Sequence, residues 1–476
     1  MKFNKKQNLE TENLAGGLSF SESPKLEFVA LLLTTFLKDQ FYRTEAQTVT
    51  RISNLIDIIG DPEFVARAAI YARTKFGMRS VTHVVAGEIA KKVKGARWTR
   101  SFFDKIVYRP DDMMEILSYY FQTEKKETNP LRDGFARALV RFDEYSLAKY
   151  RGEGKKIKLV DVVNICHPKS TEALSKLMRG TLQPANTWES ELTKAGQNSE
   201  SLEETAELKD KAWKQLIIER KIGYFALLRN LRNIIEQSPD SLPEALQLLV
   251  DENLIKKSLV LPFRFLTAIE EIEKLNGKGV KKTLAALSKA VDISLSNVPT
   301  LDGKSLVVLD TSGSMTMGGR NVAPVQIGAL FAAAMLKVND SDFMTFDDDA
   351  RYMSFNPADS ATSIAQRIVE KARGGGTDFH SIFKTANLPY DRIIIFSDMQ
   401  GWIGYTTPSE DFKVYKKKTN SNPFIYSFDL QGYGSLQFPE RNVFALAGFS
   451  EKVFDIMKLL EADPQALLNE IAEIEL

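Results

Sequence analysis

The sequence predicts an α-helical repeat region followed by a doubly wound α/β domain. Residues 25–295 place apolar side chains at helical spacing, with breaks at Pro, Asp and Gly. After residue 304 the pattern changes to short apolar runs typical of buried strands. The charge also divides: residues 1–300 hold 47 Lys and Arg against 39 Asp and Glu, and residues 301–476 hold 16 against 23. We therefore expect a helical domain over residues 1–300 and an α/β domain over residues 301–476.

Helix starts in the first region can be located from residues that favour a first turn. Asp61-Pro62 and Asn129-Pro130 each combine an N-cap residue with proline, and Arg109-Pro110 precedes another apolar stripe. A further helix is predicted after Gly77, whereas the polar segment 183–208 is predicted to be a long loop or insertion. Short helices joined by such turns favour antiparallel pairs stacked as a HEAT-like solenoid, although the sequence shows no strict repeat period.

Five apolar runs in the second region predict the strands of a parallel sheet. They are Ser305–Asp310, Asp342–Asp347, Arg392–Ser397, Phe424–Asp429 and Val443–Ala447. Val325–Val338 is an apolar helix between the first two strands. Helices between parallel strands are typical of an open α/β sheet, which binds ligands at the carboxyl ends of its strands. The acidic helical tail, Ser450–Leu476, is expected to pack back on this sheet.

Oxygen-bearing side chains follow three separate segments at this edge of the predicted sheet. Asp310 ends the first strand, and Ser312 and Ser314 follow on alternate residues of the turn. Thr377 follows a run of three glycines, and Asp398 follows an isoleucine-rich strand. A single Asp-x-Ser-x-Ser is usually only a turn, but these segments occur together after predicted strands. Oxygen ligands suit Mg²⁺ or Mn²⁺, so we predict a divalent-metal site with a position open for water or an acidic partner group.

The composition argues against several other classes of protein. No apolar run is long enough to span a bilayer, and the first residues lack the pattern of a signal peptide, so we expect a cytoplasmic protein without membrane association. The single cysteine, Cys166, excludes an internal disulfide and a cysteine zinc cluster. His83, His167 and His380 are scattered, and no Gly-Lys-Ser/Thr follows the glycine run. We therefore predict that the protein is not an enzyme.

Several short motifs occur in a fixed order along the chain. They are Gly16-Gly17, Arg79-Ser80-Val81-Thr82-His83, His167-Pro168-Lys169, Thr187-Trp188-Glu189, Leu227-Leu228-Arg229-Asn230-Leu231-Arg232-Asn233, Leu261-Pro262-Phe263-Arg264-Phe265-Leu266 and Asn297-Val298-Pro299. With Asp310-Thr311-Ser312-Gly313-Ser314 after them, the series resembles the TROVE-domain proteins of the Ro autoantigen family, in their bacterial or phage-like form. The last motif resembles the metal site of a von Willebrand factor A domain, which has a Rossmann-like fold.

The resemblance implies an architecture and a role in RNA metabolism. It implies a monomeric ring of helical repeats that the metal-binding domain closes. Proteins of this kind bind small noncoding Y RNAs, take up single-stranded ends of misfolded RNAs, and associate in bacteria with exoribonucleases in RNA degradation and quality control. By position, the residues that the resemblance assigns to RNA contact are Lys149, Arg151, Lys155, His167 and Lys169.

Other interpretations of the same residues stay open. Basic clusters are more often solvated helix faces, and a capped helix start is the alternative explanation of His167 before Pro168, although we favour RNA contact. A protein-interaction scaffold, in which the metal grips an acidic residue of a partner, is the alternative function. A metal-dependent hydrolase would require turnover of phosphate esters that depends on Asp310.

Overall fold

The structure is a computed structural model. It describes residues 10–21, 23–35, 44–183, 188–197, 201–258, 260, 263–295, 298, 300–317, 323–356, 358–404, 406–433, 435–437, 443–447, 454, 457, 460–461, 463 and 465–476. Within this part of the chain, no helix has both the length and the apolar character needed to cross a membrane.

The described residues form helices along most of the chain and strands mainly in its last third. The helices are α1 Pro24–Thr34, α2 Glu45–Ile59, α3 Pro62–Lys75, α4 Ser80–Lys92, α5 Thr99–Lys105, α6 Pro110–Tyr120, α7 Asn129–Val140, α8 Glu144–Lys149, α9 Leu159–Cys166, α10 Glu172–Arg179, α11 Trp188–Gln197, α12 Leu202–Ile218, α13 Tyr224–Gln237, α14 Leu242–Leu249, α15 Glu252–Ser258, α16 Phe263–Glu273, α17 Val280–Ser294, α18 Gly313–Thr316, α19 Pro324–Val338, α20 Ala361–Glu370, α21 Phe379–Thr385, α22 Ser409–Thr419 and α23 Ala466–Ala472, with a 3-10 turn at Pro239–Ser241. The strands are β1 Glu10–Glu12, β2 Leu18–Ser21, β3 Ser305–Asp310, β4 Ser341–Phe346, β5 Ala350–Met353, β6 Arg392–Ser397, β7 Phe424–Asp429, β8 Ser435–Leu436 and β9 Val443–Ala447.

These elements form two compact units. The helical unit comprises residues 60–254, 271–283 and 471–476. The sheet unit comprises the described residues within 1–59, 255–270 and 284–470.

The predicted helix starts in the helical unit are confirmed. The Asp61 side chain accepts a hydrogen bond from the backbone N–H of Phe64 at 3.1 Å, which caps α3, and α4 begins after Gly77. Helices α6 and α7 begin at Pro110 and Asn129. Because proline lacks the N–H that a first helical turn would leave unpaired, these positions are favourable for it.

The prediction that residues 183–208 form a long loop was wrong. Helix α11 and the first turns of α12 lie in this segment, while residues 184–187 and 198–200 are outside the described part. Ser201 caps α12 by accepting from the backbone N–H of Glu204 at 3.1 Å. The rings of Trp188 and Trp213 stack at 6.3 Å between centroids. The polar composition of the segment led to the wrong prediction, because these two helices bury only a narrow apolar stripe.

The sheet unit contains the predicted α/β fold. The six strands run in the order β5-β4-β3-β6-β7-β9, and all neighbouring pairs are parallel except β4 and β5. The five predicted strands and the apolar helix, α19, are confirmed. Strand β5 was not predicted, because its four residues are only half-buried or exposed and lack an apolar run. Such short antiparallel edge strands are common on otherwise parallel sheets.

The register of the sheet aligns the ends of its strands. Ser397 lies beside Asp429 in the β6–β7 pair, and Asp310 lies beside Phe346 in the β3–β4 pair. Buried apolar residues of β3, β6 and β7 form the core beneath these ends. Side chains that follow the strands are therefore collected at one edge of the sheet.

The C-terminal tail packs on the sheet over part of its length, as predicted. The Phe454 ring contacts those of Phe331 and Phe396 at 5.3 and 6.3 Å between centroids. Arg392 at the start of β6 forms an ion pair with Glu461, with an Nη2–Oε2 distance of 2.9 Å. The last residues belong instead to the helical unit, where Arg67 donates to the carbonyl of Ile474 at 2.8 Å.

Candidate metal centre and nucleic-acid interface

Asp310 ends β3, and its carboxylate is fully buried. Its Oδ1 accepts from the backbone N–H of Ser312 at 2.9 Å, and its Oδ2 accepts from the hydroxyl of Ser397 at 2.6 Å. The hydroxyl oxygens of Ser312 and Ser314 lie 3.3 Å apart, and both residues are buried. The turn after β3 therefore gathers one carboxylate and two hydroxyls beside the end of β6.

Asp398 directly follows β6 and is also fully buried. Its Oδ1 accepts from the backbone N–H of Gln400 at 3.2 Å, whereas its Oδ2 has no hydrogen-bond partner among the described residues. Burial, together with the charge of Asp310, raises the pKa of Asp398 to about 8. Burial also raises the pKa of Asp310 to about 6, although hydrogen bonds from Ser312 and Ser397 oppose this shift. Both carboxylates thus lack the positive charge that would stabilise their ionised forms.

Thr377 is buried in the loop between α20 and α21. This loop is bonded to the turn after β3, since the N–H of Gly313 donates to the carbonyl of Gly375 at 2.9 Å. The carbonyl of Thr377 accepts from the N–H of Trp402, in the segment after Asp398, at 3.2 Å. The loops that carry the five predicted ligands therefore meet at one edge of the sheet.

The sequence prediction left out three polar residues of this centre. They are Ser397, which bonds Asp310; Asp347, whose charge raises the pKa of Asp310; and Asp429, whose charge raises the pKa of Asp398. Asp347 is neutralised by Arg351, with an Nη2–Oδ2 distance of 2.6 Å. A usable signal existed, because each of the three is the last residue of a predicted strand.

The donor set fits a small, hard divalent cation. Asp398 Oδ2 is a buried oxygen with no partner in the described part of the chain, and the hydroxyls of Ser312 and Ser314 lie nearby. Hydroxyl and carboxylate oxygens are the ligands that Mg²⁺ and Mn²⁺ prefer. Among the described residues, no three His, Cys, Asp or Glu side chains form a metal-binding group, so the hydroxyls of Ser312, Ser314 and Thr377 are needed to complete the donor set.

The predicted RNA-contacting residues lie in the helical unit, on both sides of α9. Lys149 ends α8, and its Nζ contacts no carboxylate among the described residues; it lies 5.6 Å from the centroid of the Tyr150 ring. Arg151 pairs with Glu153 at 3.5 Å, and Lys155 forms an ion pair with Glu115. Lys149 is therefore more available to an anion than Arg151 or Lys155.

His167 and Lys169 follow α9 and are exposed. His167 ends the helix in the left-handed conformation, at φ 48°, and its N–H donates to the carbonyl of Val163 at 3.0 Å. The alternative that His167 caps a helix start is wrong, because it closes a helix. Neither His167 nor Lys169 has a side-chain partner in the described part of the chain. Both side chains are thus free to meet a ligand.

Tyrosine rings lie beside several cations of this region. Tyr145 lies on α8 with its ring centroid 5.7 Å from Lys149 Nζ, and the guanidinium of Arg109 lies 4.7 Å from the centroid of Tyr150. The guanidinium of Arg73 lies 5.2 Å from the centroid of Tyr108. Tyr145 and Lys149 lie four residues apart on α8, whereas the other two pairs join residues that are far apart in the chain, so the sequence could not show them.

A buried charge network lies beneath the turn that begins α6. Its centre is Asp112, whose carboxylate accepts from Arg73 at 3.0 Å, Arg79 at 3.1 Å and His83 Nε2 at 2.9 Å. Burial opposes the charge of Asp112, but the His83 hydrogen bond and the Arg73 charge outweigh burial and hold the pKa of this carboxyl well below its usual range. Burial lowers the pKa of His83, although the hydrogen bond to Asp112 opposes this shift. The network accounts for Arg79 and His83 of the Arg-Ser-Val-Thr-His motif.

Two family models match consecutive parts of the chain. A family model of the TROVE domain matches residues 33–203 and 175–311, together more than half of the chain. A model of the Ro60 vWA domain matches residues 304–460.

Individual relatives are distant in sequence. The chain is 25% identical over 257 residues to a Deinococcus radiodurans protein called RNA-binding protein RO60. This match covers 49% of this chain and 48% of that protein. It is 22% identical over 309 residues to telomerase protein component 1 of Rattus norvegicus, over 46% of this chain and 11% of that protein. The chain thus matches about half the length of the first relative and a small part of the second.

A solved structure shares the fold along nearly the whole chain. The crystal structure of the Deinococcus radiodurans RO (RSR) protein superposes with a TM-score of 0.61 at 19% identity, covering 94% of this chain and 99% of that one. With the TROVE and vWA matches in sequence, this shows that the chain belongs to the Ro family of TROVE-domain proteins and carries a Ro60-type vWA domain.

Proposed function

We propose that this protein binds RNA through its helical unit and carries out no catalysis itself. The observation that carries the proposal is the segment 149–169, which holds six basic and two acidic residues. Four of its lysines, Lys149, Lys156, Lys158 and Lys169, have side-chain ammonium groups that pair with no carboxylate within the described part of the chain. Unpaired surface cations of this density favour a polyanion, because each phosphate contact releases counterions.

The RNA ligands follow from the family and from the chemistry of this segment. We infer small noncoding Y-like RNA and the single-stranded ends of structured or misfolded RNA. Lysine contacts to phosphates give affinity with little sequence preference, which suits a protein that handles RNAs of varied sequence. The name of the Deinococcus radiodurans relative, RNA-binding protein RO60, supports the same ligand class.

The remaining parts of the proposal concern architecture and cellular role. We infer a monomeric ring of HEAT-like helical repeats that the sheet unit closes, located in the cytoplasm. In this role the protein presents RNA to an exoribonuclease for quality control or degradation. The name of the Deinococcus radiodurans relative describes binding of RNA, which supports delivery of RNA rather than cleavage.

The sheet unit adds a metal site to this role. Asp310, Ser312, Ser314, Thr377 and Asp398 would hold Mg²⁺ or Mn²⁺, and the bound cation would supply positive charge and an open coordination position. The protein's own residues prepare the site: Ser397 fixes Asp310 at 2.6 Å, and Gln400 holds one oxygen of Asp398 at 3.2 Å. The second oxygen of Asp398 is left for the cation.

A protein-interaction scaffold is the second candidate function. The Trp402 side chain is 51% exposed, although its backbone N–H is bonded to Thr377 of the metal centre. An exposed tryptophan next to a cation is suited to a partner that offers an acidic residue with apolar neighbours. Capture of a protein that is lost with EDTA but not with nuclease would favour this function over RNA binding.

Fluorescence anisotropy of a labelled RNA hairpin with a single-stranded tail tests the main proposal. Across a salt series, the logarithm of the association constant should fall steeply, and Lys149→Ala combined with His167→Ala should weaken binding. Lys176→Ala is a matched control, because Lys176 is already paired with Glu144 at 2.8 Å. Binding that does not respond to salt, or that the control weakens equally, would contradict the proposal.

A further inference from the structure

Two exposed tyrosines flank the cations of Arg109 and Lys149 on the helical unit. Tyr108 is 54% exposed and Tyr145 is 46% exposed. The half-buried Tyr150 has the Arg109 guanidinium 4.7 Å and the Lys149 ammonium 5.6 Å from its ring centroid. Lys149 also lies 5.7 Å from the centroid of Tyr145, and Tyr108 is the chain neighbour of Arg109. These five residues are here called the tyrosine surface.

The buried network below holds the tyrosine surface in place. The backbone N–H groups of Tyr108 and Arg109 both donate to Asp112 Oδ2 at 2.9 Å. The Arg109 side chain is fixed by Asp111 at 2.7 Å, and the Tyr108 ring rests 5.2 Å from Arg73, which itself pairs with Asp112. A surface whose aromatic ring and cation are both fixed from below loses little conformational freedom when a ligand binds.

We propose that the tyrosine surface is a stacking site for unpaired RNA bases. This inference rests on the proposed function and names the part of the RNA that the helical unit recognises there. One base stacks on the outer face of Tyr108 and another on Tyr145, and the phosphates between them contact Arg109 and Lys149. Flat aromatic faces beside cations suit single-stranded RNA, because a duplex hides the faces of its bases.

Charge favours RNA over a protein or an apolar ligand at this surface. Lys149 has only the two tyrosine rings as side-chain contacts within the described residues. The acidic neighbours Asp111 and Asp112 are both buried and both neutralised by arginines, so they do not repel a phosphate. Stacking is tolerant of sequence, since each base has an aromatic face.

The test compares two RNA ligands on the full chain. The affinities of an unstructured oligouridylate and of a blunt RNA hairpin are measured for the wild type, Tyr108→Leu, Tyr145→Leu and Tyr145→Phe. Each leucine variant should lower the affinity for the oligouridylate by about five- to 150-fold, the range that corresponds to ~1–3 kcal/mol per stacked base. The affinity for the hairpin should be nearly unchanged. Phenylalanine should restore binding, because it keeps the aromatic face.

Phe225→Leu is the matched control. Phe225 is 42% exposed, and the guanidinium of Arg229 lies 5.8 Å from its ring centroid, but it is on α13, outside the tyrosine surface. This variant should leave both affinities unchanged. A second measurement changes the RNA instead of the protein: wild-type protein should bind an abasic oligonucleotide more weakly than Tyr145→Leu binds the intact one, because the abasic strand loses both stacked bases.

The outcomes separate the stacking site from the proposed function. Suppose that wild type binds both RNAs, that the leucine variants bind them as tightly as wild type, and that the abasic oligonucleotide binds as tightly as intact RNA. The stacking site is then wrong, and RNA binding stands. If wild type binds neither RNA, both are overturned. An equal loss of affinity for the hairpin and for the oligouridylate in the leucine variants would also overturn the stacking site.

Discussion

Asp112 in the helical unit and Asp398 in the sheet unit are both fully buried, yet their surroundings are opposite. Asp112 accepts hydrogen bonds from two arginines and a histidine, and its pKa lies well below the usual range. Asp398 has one oxygen without a partner among the described residues, and burial raises its pKa. The helical unit neutralises its buried carboxylates with its own cations, whereas the sheet unit leaves a negative site unneutralised.

This difference separates a structural charge from a ligand-binding one. Leaving a buried charge unpaired costs several kcal/mol, so a fold retains such a group only where something outside the chain can stabilise it. The helical unit has the reverse arrangement at its surface, where lysines such as Lys149 lack acidic partners. We therefore expect the helical unit to bind an anion and the sheet unit to bind a cation.

The largest effect on stability is expected from removing Asp112, the centre of the buried charge network in the helical unit. Asp112→Ala leaves the buried Arg73 uncompensated and should lower the stability of the helical unit by about 3–5 kcal/mol. Hydrogen exchange in α3, α4 and α6 measures this local opening. Asp133→Ala is the control and should cost about 0–1 kcal/mol, since Asp133 forms surface ion pairs, with Arg100 at 3.0 Å and with Arg132 at 3.6 Å. Equal protection from hydrogen exchange in the two variants would show that Asp112 contributes no more to stability than Asp133.

The sheet unit should respond to metal instead. Mg²⁺ or Mn²⁺ at a hundred times its dissociation constant should stabilise the folded unit by about 2.7 kcal/mol, as measured by thermal unfolding with and without EDTA. Asp398→Asn should abolish this response and raise the melting temperature in EDTA, because it removes a buried carboxyl group whose Oδ2 has no partner in the described part of the chain. A variant that is destabilised in EDTA, or that keeps the metal response, would show that Asp398 is a structural charge like Asp112.

The raised pKa values predict how this stability depends on pH. In EDTA, the folded sheet unit binds more protons than the unfolded chain, so the stabilisation is complete below the ordinary carboxyl pKa and is lost as pH rises through about 6 for Asp310 and about 8 for Asp398. The loss should reach at most ~1.4 kcal/mol per pH unit for each group. Saturating Mn²⁺ should reduce this loss of stability with rising pH, and Asp398→Asn should remove the loss that occurs above pH 6. Stability that rises over this range in EDTA would contradict the assignment.

The smallest effect concerns one surface cation. Lys149→Ala should reduce the salt dependence of RNA binding by about 0.7, the slope expected for one phosphate of a single strand. Lys155→Ala should change the slope less, because Lys155 is paired with Glu115. Anisotropy titrations over a salt series measure both slopes. A larger change for Lys155 than for Lys149 would mean that pairing does not decide which cations meet RNA.

Much of the sheet unit could be predicted, since its information is local in sequence. A continuous apolar run such as Arg392–Ser397 identifies a buried strand, and the residue after it must lie at the sheet edge. The exposed strand β5 lacked this signal, and the polar sequence of α11 and α12 suggested a loop. In these cases packing against neighbours, rather than the local pattern, decides the structure.

The interior of the helical unit could not be predicted in the same way. Asp112 is 39 residues from Arg73 and 29 from His83 along the chain, and no local pattern shows that they meet. The same holds for Tyr150 and Arg109, which come from different helices. The family resemblance pointed to Lys149 and His167, but only the three-dimensional arrangement distinguishes the unpaired Lys149 from the paired Lys155.

Ultraviolet crosslinking of bound RNA, followed by mass spectrometry of the crosslinked peptides, tests most directly whether the anion-binding and cation-binding sites are separate. The full chain is crosslinked to an RNA hairpin with a single-stranded tail, in the presence of Mg²⁺. We predict crosslinks in residues 145–169, with Tyr145, Lys149 and His167 among the modified side chains, and none in the segments around Asp310 and Asp398. Crosslinks concentrated at the metal centre, with residues 145–169 unmodified, would contradict the account.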